Sequence, residues 1–531
     1  MSCTQKQKVD LIVTNAKIYS VDSSFSIFES MAVDKGKVVC LATYDEIQSR
    51  YTSNQTLNLK GKFIYPGFID PHCHFLSYGL SLRNAQLSGV STWEKVVERL
   101  IQHHAEFPSQ WILGRGWNQN EWKVKEFPTK DLLDKAFPDN PVLITRIDGH
   151  AAMANSKALE LAGINSDTSI SGGELVKKNG QLTGLLIDNA IDLVRKSVPE
   201  YSKADKEQAL LKAQANCFAV GLTSVGDAGL ELDDVLLIDS LQKAEKMIMK
   251  INAMLSPTDE NFLHFLDQGV YTTPNLTVRT VKLYADGALG SRGALLLEPY
   301  SDAKQTKGLQ VESRERLKEI CSKAYNSGYQ VATHCIGDAA VRLMLDIYGE
   351  FLTSGNDLRW RIEHAQTVHP LDLNRFGQLA VIPSVQTTHA TSDMVWAAER
   401  LGERIKTAYI YKDLLNQNGW LPNGSDFPIE HINPLYGFYA GVFRKDRSGF
   451  PEAGFQMENA LTREQAIRGM TIWAAKVAFE EDIKGSLEVG KLADFVVLKE
   501  DLMHAPEKML LNLNVEMTFV NGNVVYLYHK D

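Results

Sequence analysis

His72 and His74 stand two residues apart in FIDPHCHF, at the end of an apolar run broken by Pro66 and Gly67. In an extended strand, residues i and i+2 share a face, so both imidazoles can aim at one point while Cys73 points away. A lone histidine is more often a surface or core residue, so the pair acquires meaning only if other ligand-type residues join it. Such residues close several later apolar runs: His334 in YQVATHCIGD, His364 in LRWRIEHAQ and Asp426 in WLPNGSDFP. Lys282 lies inside TVKLYADGALGS, with Asp286 just beyond. Each alone has a plain structural role, a core hydrogen bond for His334 or a helix cap for Asp426. Together, four imidazoles and a carboxylate at strand ends suit Zn²⁺ or another borderline first-row divalent metal, one or two per chain.

Positioning such residues requires a repeating frame. The middle of the chain alternates short apolar runs with helical patterns, the mark of βα units and a parallel sheet. Strands are expected at 63–70, 222–226, 247–255, 279–285, 329–334, 358–364, 380–386 and 419–425. Helices fit between them. SKADKEQALLKAQANCFAVG offers Asp205 as N-cap and Gly221 as stop, SRERLKEICSKAYNSG runs from Ser313 to Gly328, and Thr462 with Gln465 makes a capping box. Eight units predict an α/β fold, a (β/α)8 TIM-type barrel over residues 63–483, with ligands at its C-terminal face. The stretch 85–200 is too long for a loop and is expected as a large insertion after strand one, a lid or specificity subdomain. Residues 1–62 and 484–531 are both β-rich, which predicts a small composite β-sandwich domain from the two termini.

Composition narrows the partners. With 531 residues, 44% hydrophobic and 23% charged, the chain reads as an ordinary globular protein. A formal net charge of −9 supplies no basic excess for nucleic acid. Six scattered cysteines without a C-x-x-C pair argue against a disulfide framework. The polar start MSCTQKQKVD has no signal-like apolar core, and no run approaches a membrane span. These features point to a cytoplasmic protein with a small-molecule substrate, no nucleic acid and no membrane; a homodimer is left open.

The H-x-H of GFIDPHCH, His334, His364, Asp426 and the tail GSLEVGKLADFVVL resemble the amidohydrolase superfamily over nearly the whole chain. Within it, GRGWNQNEW, RIDGHAAMANSKAL and VKLYADGALGSRGA resemble the branch of amidohydrolase family 3 that includes N-substituted formamide deformylases. The resemblance implies a metal-dependent hydrolase acting on a non-peptide carbon–nitrogen bond of an amide or N-substituted formamide. It implies that His72 and His74 with Asp426 hold a buried metal, and that His334 and His364 hold a second. Lys282 bridges the two as a CO₂-derived carbamate, against the plainer alternative of a paired lysine and a single metal. Asp426 is then the catalytic general base for attack by a metal-bound hydroxide. The same scaffold could act on an ester or carbon–halogen bond, act as an isomerase, or serve as a non-catalytic binding protein; all six ligand positions speak against the last. Substrate-binding candidates are His150, Trp117, Asp286, Arg292 and His389, with anchoring of the subdomain core the stronger reading of Trp117.

Overall fold

The computed structural model describes residues 6–147, 149, 151–170 and 173–528. The chain divides into two compact units, Met1–Phe75 with Leu211–Asp531, and Leu76–Leu210. Among the described residues no helix is long and apolar enough to cross a membrane.

The first unit contains a nearly closed parallel barrel. Its strands are β1 (Phe68–Cys73), β2 (Leu222–Leu230), β3 (Lys250–Leu255), β4 (Leu276–Tyr284), β5 (Gln330–Cys335), β6 (Arg361–His364) and β7 (Ile382–Ser384). They pair in sequence order, each parallel to the next. Helices at Leu232–Lys243, Asp259–His264, Arg314–Asn326, Asp338–Tyr348, Pro370–Gln378 and Tyr411–Asn418 follow β2 to β7 in turn. The fold is the expected TIM-type barrel, with one difference in how it closes. The eighth segment forms no ladder: Asn423 makes a single parallel bridge to Val385, and Gly424 N donates to Val385 O at 2.9 Å. The side facing β1 is joined instead through Asp426 N, which donates to His72 O at 2.9 Å.

Local signals account for much of this. Ser313 caps the helix Arg314–Asn326 by accepting from Arg316 N, and Thr462 with Gln465 forms a complete capping box. The helix Lys203–Ala219 differs from expectation, because Asp205 lies within its first turn. Ser202 takes the cap instead: its Oγ accepts from Asp205 N, and Asp205 returns a bond to Ser202 N. The expected strand 63–70 is also divided. Residues up to Pro66 finish a strand of another sheet, Thr56–Pro66, and β1 begins at Phe68. Gly67 lets the two run on, since a Cβ there would fall 2.3 Å from Thr223 Oγ1.

That other sheet has the order 523–527, 515–520, 495–498, 56–66, 11–19, 30–34, 37–42, with 27–28 beside 11–19. Alternate residues Leu11, Val13, Ile64, Phe495, Val497 and Phe519 form one buried core. A buried ion pair joins it to the barrel. Lys250 Nζ, at the start of β3, lies 2.8 Å from Asp494 Oδ2, and both side chains are about 95% buried. Asp494 also accepts from Asn521 N at 2.8 Å, which gives the aspartate of the GKLADFVVL motif a structural purpose.

The second unit is a six-stranded mixed sheet, ordered 173–178, 181–188, 151–154, 142–146, 112–117, 85–86. The helix Trp93–Glu106 covers one face and the helices Ser156–Leu161 and Asn189–Arg195 the other, giving two apolar cores.

Breaking the Lys250–Asp494 pair from one side leaves a buried charge alone. Lys250→Met is therefore expected to cost about 3–5 kcal/mol, read as a lowered melting temperature. Lys250→Met combined with Asp494→Asn, which keeps the acceptor for Asn521 N, recovers most of the loss.

Candidate metal centre

The barrel strands bring seven of the predicted side chains into one continuous cluster. His72 Nε2 lies 3.1 Å from Lys282 Nζ and 3.6 Å from Asp426 Oδ1, and His74 Nε2 lies 3.3 Å from the same oxygen. The His364 ring centre is 5.0 Å from that of His72, 4.6 Å from that of His334 and 5.7 Å from that of His389. His389 Nε2 in turn faces Asp426 Oδ2 at 3.7 Å. Among the described residues, two groups have ligand atoms close enough to share a cation: His72, His74 and Asp426, and His364, His389 and Asp426. The second group contains His389, expected only as a substrate contact, in the place where His334 was expected. His334 sits at the cluster's edge, with Nε2 3.4 Å from Gly287 O and 3.6 Å from Asp286 Oδ1.

Strand alternation explains most of the inward set. Thr280, Lys282 and Tyr284 share one face of β4, and their β5 neighbours in register are Gln330, Ala332 and His334. On β6, Arg361 and Glu363 share the inward face, so His364 should point outward. It does not, because His364 and Ala365 have φ of 70° and 42°, which turns the chain at the strand end. Asp426, with φ of 60°, is turned in the same way.

The imidazoles are oriented from behind. His72 Nδ1 donates to Glu363 Oε2 at 2.5 Å, His74 Nδ1 to Ala228 O at 3.0 Å, His364 Nδ1 to Gln386 Oε1 at 2.6 Å and His389 Nδ1 to Glu430 Oε1 at 3.2 Å. A proton held on Nδ1 leaves Nε2 for a metal, the arrangement usual for ligating histidines. The centre thus needs Glu363, Gln386 and Glu430, which were not anticipated. Glu363 could have been found from its i+2 relation to Arg361, whereas Gln386 and Glu430 carry no local signal. A second observation fits a cation: Asp426 Oδ1 is buried with no hydrogen-bond donor aligned to it.

Burial sets the protonation of the cluster. It lowers Lys282 to about 8, and it lowers His72 to about 4 and His334 to about 3, helped in both by the charge of Lys282. His364 is likewise driven well below the ordinary imidazole range by burial and by His334. Burial raises the Asp426 carboxyl, yet His389 and His74 beside it hold it well below the usual carboxylate range. His389 is the exception among the imidazoles. Burial lowers it, but Asp426 and Glu430 outweigh burial and hold it at about 10, so it becomes a ligand only by releasing a proton.

The remaining candidates lie elsewhere. Trp117 is a correction: its indole is fully buried in a core of the second unit and donates to Ile144 O at 3.1 Å, so it walls no open pocket. Asp286 is buried and accepts from Leu295 N, Ile336 N and Gly337 N at 2.8, 3.0 and 2.7 Å. Its carboxyl staples the loop after β4 to the end of β5, with Oδ1 also 3.6 Å from His334 Nε2 at the edge of the cluster. Arg292 is partly exposed and paired with Asp302 at 2.7 Å. His150 lies outside the described residues.

Comparison with known proteins places this geometry in context. A model of the Amidohydrolase family matches residues 55–526. The chain is 36% identical to Protein LONG AFTER FAR-RED 3 of Arabidopsis thaliana over 97% of this chain and 91% of that one. It is 26% identical to the N-substituted formamide deformylase of Arthrobacter pascens, over 98% and 99%. Among solved structures, an uncharacterized metal-dependent hydrolase from Pyrococcus horikoshii OT3 is 29% identical and superposes with a TM-score of 0.78, covering 94% of this chain and 99% of that one.

One backbone approach holds Asp426 in place. A Cβ on Gly424 would fall 2.5 Å from Asp70 Oδ1 and 3.0 Å from His72 O. Gly424→Ala is expected to cost about 1–3 kcal/mol through overpacking and to lower bound metal, read by thermal melting and elemental analysis of the same sample. A variant with unchanged melting and metal content would contradict this.

Proposed function

Since the chain belongs to the amidohydrolase family, we propose that it is a divalent-metal-dependent hydrolase cleaving a non-peptide carbon–nitrogen bond, of the amide or N-substituted formamide type. The observation that carries this reading is the set of imidazoles tethered through Nδ1 around the unbonded Oδ1 of Asp426. His72, His74 and Asp426 would hold one cation, and His364 with Asp426 and either His389 or His334 a second. A nitrogen-and-oxygen donor set of this kind favours zinc. When bound, the metal supplies Lewis acidity toward water and toward the carbonyl oxygen of the substrate.

The residues of the chain do the rest. Asp426 takes the proton of the attacking water and passes it to the departing nitrogen, so that the carbon–nitrogen bond breaks without expelling an amide anion. His389, between Asp426 and Glu430, keeps the carboxylate turned toward the cluster. Lys282, buried and lowered to about 8, has a substantial free-amine fraction at neutral pH. Addition of CO₂ to that amine, with loss of a proton, yields an anionic carbamate beside His72, better suited than an ammonium to a site of two cations. The N-substituted formamide deformylase of Arthrobacter pascens supports the choice of substrate class.

Elemental analysis of protein purified without added metal or chelator tests the reading. Metal near two equivalents per chain, with a mass increase of one CO₂ that Lys282→Met removes, is the expected result; near one equivalent argues for a single site without the carbamate. Chelation should abolish hydrolysis of N-substituted formamides and zinc should restore it. Asp426→Asn should lower kcat by at least about a hundredfold. A wild-type chain that neither contains nor takes up a transition metal sinks the proposal.

A further inference from the structure

Glu363 is completely buried, and each of its oxygens has a different charged or ligating neighbour. Oε2 accepts from His72 Nδ1 at 2.5 Å, and Oε1 lies 2.5 Å from Arg361 Nε as an ion pair, without an aligned hydrogen bond between the two atoms. Arg361 is only 1% exposed. Its other contacts are weak, Nη1 to Pro71 O at 3.4 Å and Nη2 to Met254 Sδ at 3.1 Å. The barrel makes room for it, because the β5 residue in register with Arg361 is Ala332.

A buried carboxylate–guanidinium pair is a poor way to stabilise a core. Apolar residues of equal volume often serve as well or better, because desolvation cancels most of the attraction. The pair here is spent on one imidazole. The other tethered rings face weaker or wetter acceptors: Ala228 O and Gln386 Oε1 are neutral, and the Glu430 carboxylate is partly exposed and shared with Ser392 Oγ at 2.6 Å. His72 alone is backed by a carboxylate shielded from water and held by a buried cation. An ionised partner on Nδ1 makes Nε2 a stronger donor to a metal and fixes the ring's plane.

We infer that Glu363 and Arg361 are positioning residues for His72 and make it the anchoring ligand of the centre. The inference rests on the reading of His72, His74 and Asp426 as a metal site. Arg361 keeps the carboxylate ionised and in place, and Glu363 gives His72 its basicity and direction. Neither residue touches the reacting atoms.

The test is a zinc titration against a competing chelator, with thermal melting of each variant. Glu363→Gln keeps an acceptor of equal length but leaves Arg361 uncompensated, so it is paired with Arg361→Met/Glu363→Gln, which buries no lone charge. The double variant is expected to fold and to bind zinc about 10–100-fold more weakly than wild type, with hydrolysis recovering at saturating zinc. Wild-type affinity in the double variant would overturn the inference. So would failure of the double variant to fold at saturating zinc, since the pair would then serve packing alone. Absence of zinc binding in the wild-type chain would instead remove the metal reading itself.

Discussion

Asp70 is the constraint on which the site depends. Seven strands curve round a barrel whose eighth position is filled by a segment that makes one bridge to β7 and no ladder with β1. Beside the backbone bonds Asp426 N to His72 O at 2.9 Å and His74 N to Phe427 O at 2.8 Å, the join is carried by a buried carboxyl, Asp70, which accepts from His72 N at 3.1 Å, from Ser425 N at 3.1 Å and from Ser425 Oγ at 2.6 Å. Burial raises this carboxyl to about 7 against the pull of those donors, and each such bond adds about 0.5–1.5 kcal/mol to the closure. Closure and chemistry share these residues. His72 follows Asp70 by two, and Asp426 follows Ser425 directly, so the contact that shuts the barrel also sets the distance between His72 and Asp426.

The barrel was legible because its units are local: cap residues such as Ser313 and Thr462 and apolar periodicity announce several of its helices, and short apolar runs announce its strands. The clustered residues were legible because strand ends collect function in this architecture. The misplacements arise where geometry departs from period. Thr56–Pro66 and β1 read as one apolar run, and their assignment to two sheets shows only in which strands each pairs with. His364 would face outward by alternation, and its left-handed backbone is visible only in three dimensions. Trp117 and Asp286 looked available because their residue types suit binding, but both had already committed their polar atoms to the backbone.

The outer layer of the site was the least legible part. Glu363, Gln386 and Glu430 meet their histidines from separate stretches of chain, and spacing alone, which puts Glu363 on the face of Arg361, does not say which histidine each will meet. Register does. Once β6 is paired with β5 and β7, Glu363 falls between His334 and Ser384, facing the interior. A lone pair aimed at a metal is therefore a property of several strands together, although the ligand itself belongs to one.

The sheet built from both ends of the chain has a consequence for biosynthesis. The strand Thr56–Pro66 pairs on one side with Leu11–Tyr19 and on the other with Phe495–Leu498. Its second neighbour leaves the ribosome roughly 430 residues after the strand itself, a delay on the order of tens of seconds at ordinary synthesis rates. Throughout that interval an apolar edge, with Ile64 and Tyr65 unprotected, is open to pairing with any passing strand. The nascent chain therefore carries an aggregation hazard that ends only when its last strands arrive, and the cell must shelter that edge or synthesise the tail quickly.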